Sequence, residues 1–197
     1  MNDLRALKSE LRRELRSEAG RFSAAERAAA SIQICQRLKE QPVWKKARGI
    51  LFFSPLPEEP DIHPLLEEAF AEGKAAALPR YSTEQGRYEA CPISDLNREL
   101  QIGAFGIREP SRTCPVFDLK KLDLALVPGV GFALDGLRLG RGKGHYDQLL
   151  AEIAGFKCGI AFDWQLAVEV PAEPHDIRLD GILTPSRWHE VAGWRRV

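Results

Sequence analysis

The stretch LDLALVPG, residues 122–129, constrains this chain more than any other. It is apolar at almost every position and ends in a proline and a glycine, the pattern of a strand buried inside a sheet. Neighbouring pieces supply partners and cover. GILFF (49–53) and KAAALP (74–79) read as strands, separated by a helix from about 64 to 72 that stops at Gly73. KCGIAF (157–162) follows a helix from about 144 to 153, and DGILT (180–184) and HEVAGW (189–194) end the chain with strand character. Strands alternating with helices predict one α/β domain over 1–197: a mainly parallel sheet covered by helices on both faces, with ligands gathering at the carboxyl ends of strands. Between Tyr81 and Pro115, pieces such as RYEAC among many turn residues predict a small antiparallel excursion. The first forty residues read as two helices joined near Gly20, the second opened by a capping box of Ser23 and Glu26.

The segment RLGRGKGHYD, 138–147, follows the buried strand. Glycines at 140, 142 and 144 permit positive φ and close approach to a ligand, and successive N–H groups in such a turn form an anion nest. Arg138, Arg141 and Lys143 add positive charge at the same place, so phosphate is the natural guest. The spacing matches neither G-x-x-x-x-G-K-[ST] nor G-x-G-x-x-G, which excludes the P-loop and dinucleotide readings. The bland alternative is a glycine turn whose charges face water. A polyphosphate arrives with magnesium, and Asp147 is placed to hold it, or else only to meet a helix dipole.

Leu4, Leu7, Leu11 and Leu15 recur at helical spacing and predict a face that docks on the body of the protein. One position after each lie Arg5, Lys8, Arg12 and Arg16, while Asp3, Glu10 and Glu14 precede three of them. Signs segregated in this way predict a basic flank that overlooks an anion, against the simpler reading of a solvated face. That anion site is local. Lys and Arg together number 28, as do Asp and Glu, so no overall field draws nucleic acid, a membrane or a polyacid. Cys35, Cys91, Cys114 and Cys158 stand singly, without metal-ligand spacing, and no run has the length of a membrane span. A reduced, cytoplasmic monomer with buried thiols is expected.

KSELR in the first helix, EEPD after the first strand, GIREP at 106–110, VPGVGF…GLRLGRGKGHYD and EPHDIRLDGILT together resemble the 5-formyltetrahydrofolate cyclo-ligase family, from about Lys8 to about Thr184. The R-L-G-x-G-x-G-x-Y-D block is the most specific part. The resemblance implies ATP- and Mg2+-dependent closure of 5-formyltetrahydrofolate to 5,10-methenyltetrahydrofolate, with release of ADP and phosphate. It implies that Lys8, Arg12 and the loop from Arg138 through Gly140, Arg141, Gly142, Lys143, Gly144 and His145 to Tyr146 hold ATP. Asp147 and Asp176 are implied as magnesium ligands, and Glu59, His145 and Tyr146 as folate contacts. Lys143, Arg141 and Tyr146 stand nearest the implied phosphoryl transfer, which is chiefly a matter of positioning and electrostatics. Three positions depart from the family pattern: Ala133 stands for an Asp, His145 for a Tyr and Ile62 for a Thr. Two other classes compete: a nucleotide-sensing module of the same fold, and an RNA-binding protein using the first helix, which would lose affinity steeply with salt.

Overall fold

The computed structural model describes residues 4–103 and 106–192. The chain begins with α1 (Leu4–Ala19), α2 (Ala24–Glu40) and α3 (Pro42–Lys46), then β1 (Gly49–Leu51), α4 (His63–Ala71), β2 (Ala75–Ser82) and β3 (Arg87–Ile93). Next come β4 (Leu100–Ile102), β5 (Arg108–Pro110), β6 (Leu124–Val127), β7 (Gly131–Phe132), β8 (Arg138–Leu139) and α5 (His145–Ala151). The last strands are β9 (Phe156–Ile160), β10 (Gly181–Leu183) and β11 (Trp188–Glu190). Seven of them form one sheet in the order β11-β10-β9-β6-β1-β2-β3. Its five inner strands run parallel and its two outer strands antiparallel. The apolar β6 lies at the centre, as its composition requires.

Alternation along β1 shows how the two faces are filled. Ile50 and Phe52 point into one cluster with Leu38, Trp44 and Leu66 of α2, α3 and α4. Leu51 points into the other, with Leu149 and Leu150 of α5 and Phe132 of β7. Each such side chain, fully buried, contributes roughly 1.5–3 kcal/mol. The expected antiparallel excursion is present as β3, which pairs with β2 over seven positions, and as the separate β4–β5 pair. The Ser23–Glu26 capping box is also present, with the Glu26 backbone N–H donating to Ser23 Oγ at 3.2 Å.

Several expectations need correction. The short α3, opened by Pro42, has no counterpart in the sequence reading. Regular pairing of GILFF ends at Leu51, although Phe52 and Phe53 stay buried. The last strand, expected within HEVAGW, lies earlier at Trp188–Glu190; Gly193 and Trp194 fall outside the described residues, as does Asp3. The leucine seam of α1 docks only by its second half. Leu11 and Leu15 pack against Leu137 and Leu139 of the β7–β8 hairpin, whereas Leu4 and Leu7 are exposed. A stack of rings fixes the end of α1: Phe22 lies 3.8 Å from Trp164, which lies 4.3 Å from Phe162.

Candidate active site

Loops leaving β1 and β6, the segment after β8, one flank of α1 and the loop 171–178 surround a cavity of about 830 Å³. It opens beyond the carboxyl ends of β1 and β6, where an open parallel sheet collects ligands. Every residue expected at the site lines it: Lys8, Arg12, Glu59, Arg138, the glycine-rich segment to Tyr146, Asp147 and Asp176. Arg5 joins them, so three members of the basic stripe overlook one cleft.

The loop owes its path to glycine. Gly142 and Gly144 adopt φ of 101° and 68°, where an L side chain is strained. Gly140 is not in that region; its carbonyl accepts from Arg12 Nε at 2.8 Å, locking α1 to the loop. Burial and the neighbouring Arg16 lower the pKa of Arg12, partly opposed by Glu173, while leaving a guanidinium that stays charged.

Lys8 is the one buried residue of α1. Its Nζ lies 2.8 Å from both Glu173 Oε2 and Asp176 Oδ2. Burial works against the ammonium, but hydrogen bonds to Asp176 and Glu173 and their charges outweigh it, so Lys8 titrates above its usual value. The partners shift the other way. Glu173 falls because of Lys8; Asp176 falls despite burial, through Lys8 and the Glu173 backbone N–H.

Arg138 and Asp147 hold each other. Arg138 Nη2 lies 3.0 Å from both Asp147 oxygens, its side chain is 4% exposed, and its guanidinium sits 5.7 Å from the Tyr146 ring centre. The Ile177 N–H also reaches Asp147 Oδ1, at 3.4 Å. This pair ties β8, α5 and the 171–178 loop together beneath the cavity. Arg141 instead bridges Glu58 Oε1 at 2.8 Å and Glu59 Oε1 at 3.2 Å. Burial raises the Glu59 carboxyl above its ordinary value, with the Leu56 N–H and Arg141 opposing. Lys143 lies at the exposed tip of the loop.

An aromatic wall faces these charges. His145 lies 5.0 Å from Tyr81 and 5.9 Å from Tyr88, and Tyr88 lies 5.7 Å from Tyr146. The buried Tyr146 hydroxyl has no hydrogen-bond partner among the described residues, and burial raises its pKa so far that it remains a neutral phenol. Of the three departures from the family pattern, Ala133 and Ile62 are core residues. Only His145 touches the cavity.

One grouping of possible metal ligands is found among the described residues: atoms of Glu173, His175 and Asp176 lie within 4.8 Å of one another. It contains Asp176 but not Asp147. Sequence reasoning gave no role to Glu173, His175, Tyr88 or Glu109, which also line the cavity. Glu173 and His175 sit inside the quoted EPHD motif and Glu109 inside GIREP, so a signal for these three existed; Tyr88 lies outside the quoted motifs and carried none.

A parallel sheet bearing one large, polar and aromatic cleft at the carboxyl ends of its strands defines an α/β enzyme. Residues 5–185 match the model of the 5-formyltetrahydrofolate cyclo-ligase family, and the chain belongs to that family of ligases. It is 27% identical over 195 residues to the 5-formyltetrahydrofolate cyclo-ligase of Mus musculus, covering 91% of this chain and 92% of that one. With the enzyme of Escherichia coli K12 it shares 32% identity over 163 residues, 79% of this chain and 87% of the other. A 5,10-methenyltetrahydrofolate synthetase of Aquifex aeolicus, solved by NMR, superposes with a TM-score of 0.84 at 32% identity, covering 97% of this chain and 96% of that chain.

Proposed function

We propose that this chain closes 5-formyltetrahydrofolate to 5,10-methenyltetrahydrofolate at the expense of ATP, by phosphoryl transfer to the formyl oxygen. The observation that carries this reading is the meeting of two cation sources at one cleft: Lys8 and Arg12 from α1, and Arg141 and Lys143 from the glycine-rich loop. A formyl oxygen is a poor leaving group, and phosphorylation makes it a good one. N10 of the folate then attacks the formyl carbon, its N–H proton is lost, and phosphate departs with the former formyl oxygen. Arg12, held by the Gly140 carbonyl, and Lys8, held by Glu173 and Asp176, line the cleft in fixed positions, which would limit reorganisation when a triphosphate binds. Arg141 and Lys143 bind from the opposite side. The neutral Tyr146 phenol supplies a donor, and Glu59 accepts N–H groups of the pterin.

The donors fit magnesium, a hard cation that uses one or two carboxylates and retains waters. Asp176 and Glu173, which group with His175 and are bridged by Lys8, would hold it; Asp147 lies outside that group and pairs with Arg138. When bound, the ion would neutralise phosphate charge.

The test is the purified protein with 5-formyltetrahydrofolate, ATP and magnesium, followed by methenyl-folate absorbance. Product that forms only with nucleotide supports the reading. Nucleotide binding by a folded protein without product would make the chain a sensing module instead.

A further inference from the structure

We propose that Glu109 is a folate-binding residue, a carboxylate in the cavity wall that accepts an N–H of the reduced pteridine beside Glu59. The proposal rests on the functional reading above and extends it to the GIREP segment, to which no role was attached. Glu109 lies on β5, outside the main sheet, yet it lines the cavity and is only 8% exposed. It is the one Asp or Glu among the described residues that is buried as a whole residue.

A buried carboxylate is costly unless it is paired, and the other buried charges here are paired: Lys8 with two acids, Arg138 with Asp147. Glu109 forms no ion pair among the described residues. Its hydrogen bond from the Tyr81 backbone N–H, to Oε2 at 3.2 Å, is long for a charged acceptor. The nearby arginines are occupied elsewhere. Arg108 donates to the Leu96 carbonyl, and Arg80 to Glu89 and the carbonyls of Ser111 and Cys114.

The side chain is nevertheless held in place. A Cβ on Gly103 would come within 2.1 Å of Glu109 Cδ, so the carboxylate lies directly against the Gly103 backbone. Tyr88 and Glu59 line the same cavity as Glu109. The Tyr88 hydroxyl is raised in pKa by burial first and then by the charge of Glu109, with Glu59 acting in the same direction more weakly. Both carboxylates therefore bear on one tyrosine of the aromatic wall.

A guest that satisfies this wall is flat, stacks on rings and carries several N–H donors. The reduced pteridine, with its 2-amino group, N3–H and N8–H, has that chemistry. The adenine amino group, the N10–H and the amide N–H of the folate tail are the other N–H donors in the reaction, and the experiment separates them from the pteridine.

Binding of 5-formyltetrahydrofolate, of a non-hydrolysable ATP analogue and of p-aminobenzoylglutamate, which lacks the pteridine, is measured by calorimetry for wild type, Glu109→Ala and Glu109→Gln. Loss of a hydrogen bond to a charged group predicts a folate Kd raised about tenfold to a hundredfold in Glu109→Ala. The rise is smaller in Glu109→Gln, whose amide oxygen still accepts. The other two ligands should stay within about twofold. If Glu109→Ala does not fold, Glu109→Gln decides alone, because it keeps the shape and the acceptor for Tyr81. An unchanged folate Kd in the folded variants overturns the proposal, as does equal weakening of the ATP analogue or of the fragment. A wild type that binds no folate overturns the functional reading as well, and that failure shows before any variant is made.

Discussion

At the scale of the residue, the cations of the cleft fall into two kinds with different expected phenotypes. Lys143 stands exposed at the loop tip, so Lys143→Ala should raise the KM for ATP about tenfold, the loss of one charged hydrogen bond, with an unchanged melting temperature. Lys8→Ala should weaken ATP binding and also destabilise the fold, because it leaves the largely buried Asp176 carboxylate without its cation. A cost of about 1–3 kcal/mol is expected, at roughly 2–4 °C per kcal/mol in a chain of this size. Thermal melts beside ATP titrations check both. Asp147→Asn and Asp176→Asn should separate in the same way. The first strips Arg138 of its counter-charge and lowers the melting temperature; the second raises the magnesium concentration needed for activity. A magnesium requirement raised by Asp147→Asn alone would show that Arg138 releases Asp147 in the working enzyme. The phosphate loop was legible in the sequence because its glycines answer a local backbone demand. The Arg138–Asp147 pair was not, since both residues match a phosphate-site pattern and only the folded turn between them shows that they face each other.

At the scale of the element, α1 is where sequence and structure diverge most usefully. Its periodicity predicted docking along all four leucines, but the half that carries Lys8 is held mainly by polar contacts: Lys8 to the 171–178 loop and Arg12 to Gly140. Helical spacing shows which residues share a face, not how far the partner surface extends beneath it. Leu15→Ala should therefore cost about 2–4 kcal/mol by chemical denaturation, and Leu4→Ala close to nothing. The polar clamp also sets a pH window. Asp176 and Glu173 have lowered pKa values, so their stabilising effect is complete above the unfolded carboxylate value of about 4 and is lost as pH falls through the folded values. Lys8, with a raised pKa, contributes below about 10.4 and is lost as pH rises through its folded value. Lys8→Met should flatten the fall in melting temperature on the acid side. Parallel profiles for wild type and variant between about pH 3 and 6 would show that the clamp does not hold α1.

At the scale of the whole molecule, the parallel sheet was the most legible feature, because a central strand apolar on both faces admits few architectures. β6 lies at the centre, and the cleft lies beyond the carboxyl ends of β1 and β6. The far wall was harder to read. Tyr88 and Glu109 reach the cavity through contacts between β2, β3 and β5, and Glu109 meets Tyr81 across 28 positions that no local pattern links. On the proposed function, these walls bring a triphosphate and a formyl group together so that phosphorus bonds to the formyl oxygen. Turnover of 5-formyltetrahydrofolate carrying 18O in the formyl group, with mass analysis of the released phosphate, tests it most directly. One labelled oxygen is expected in each phosphate formed; methenyl product accompanied by unlabelled phosphate would contradict transfer to the formyl oxygen.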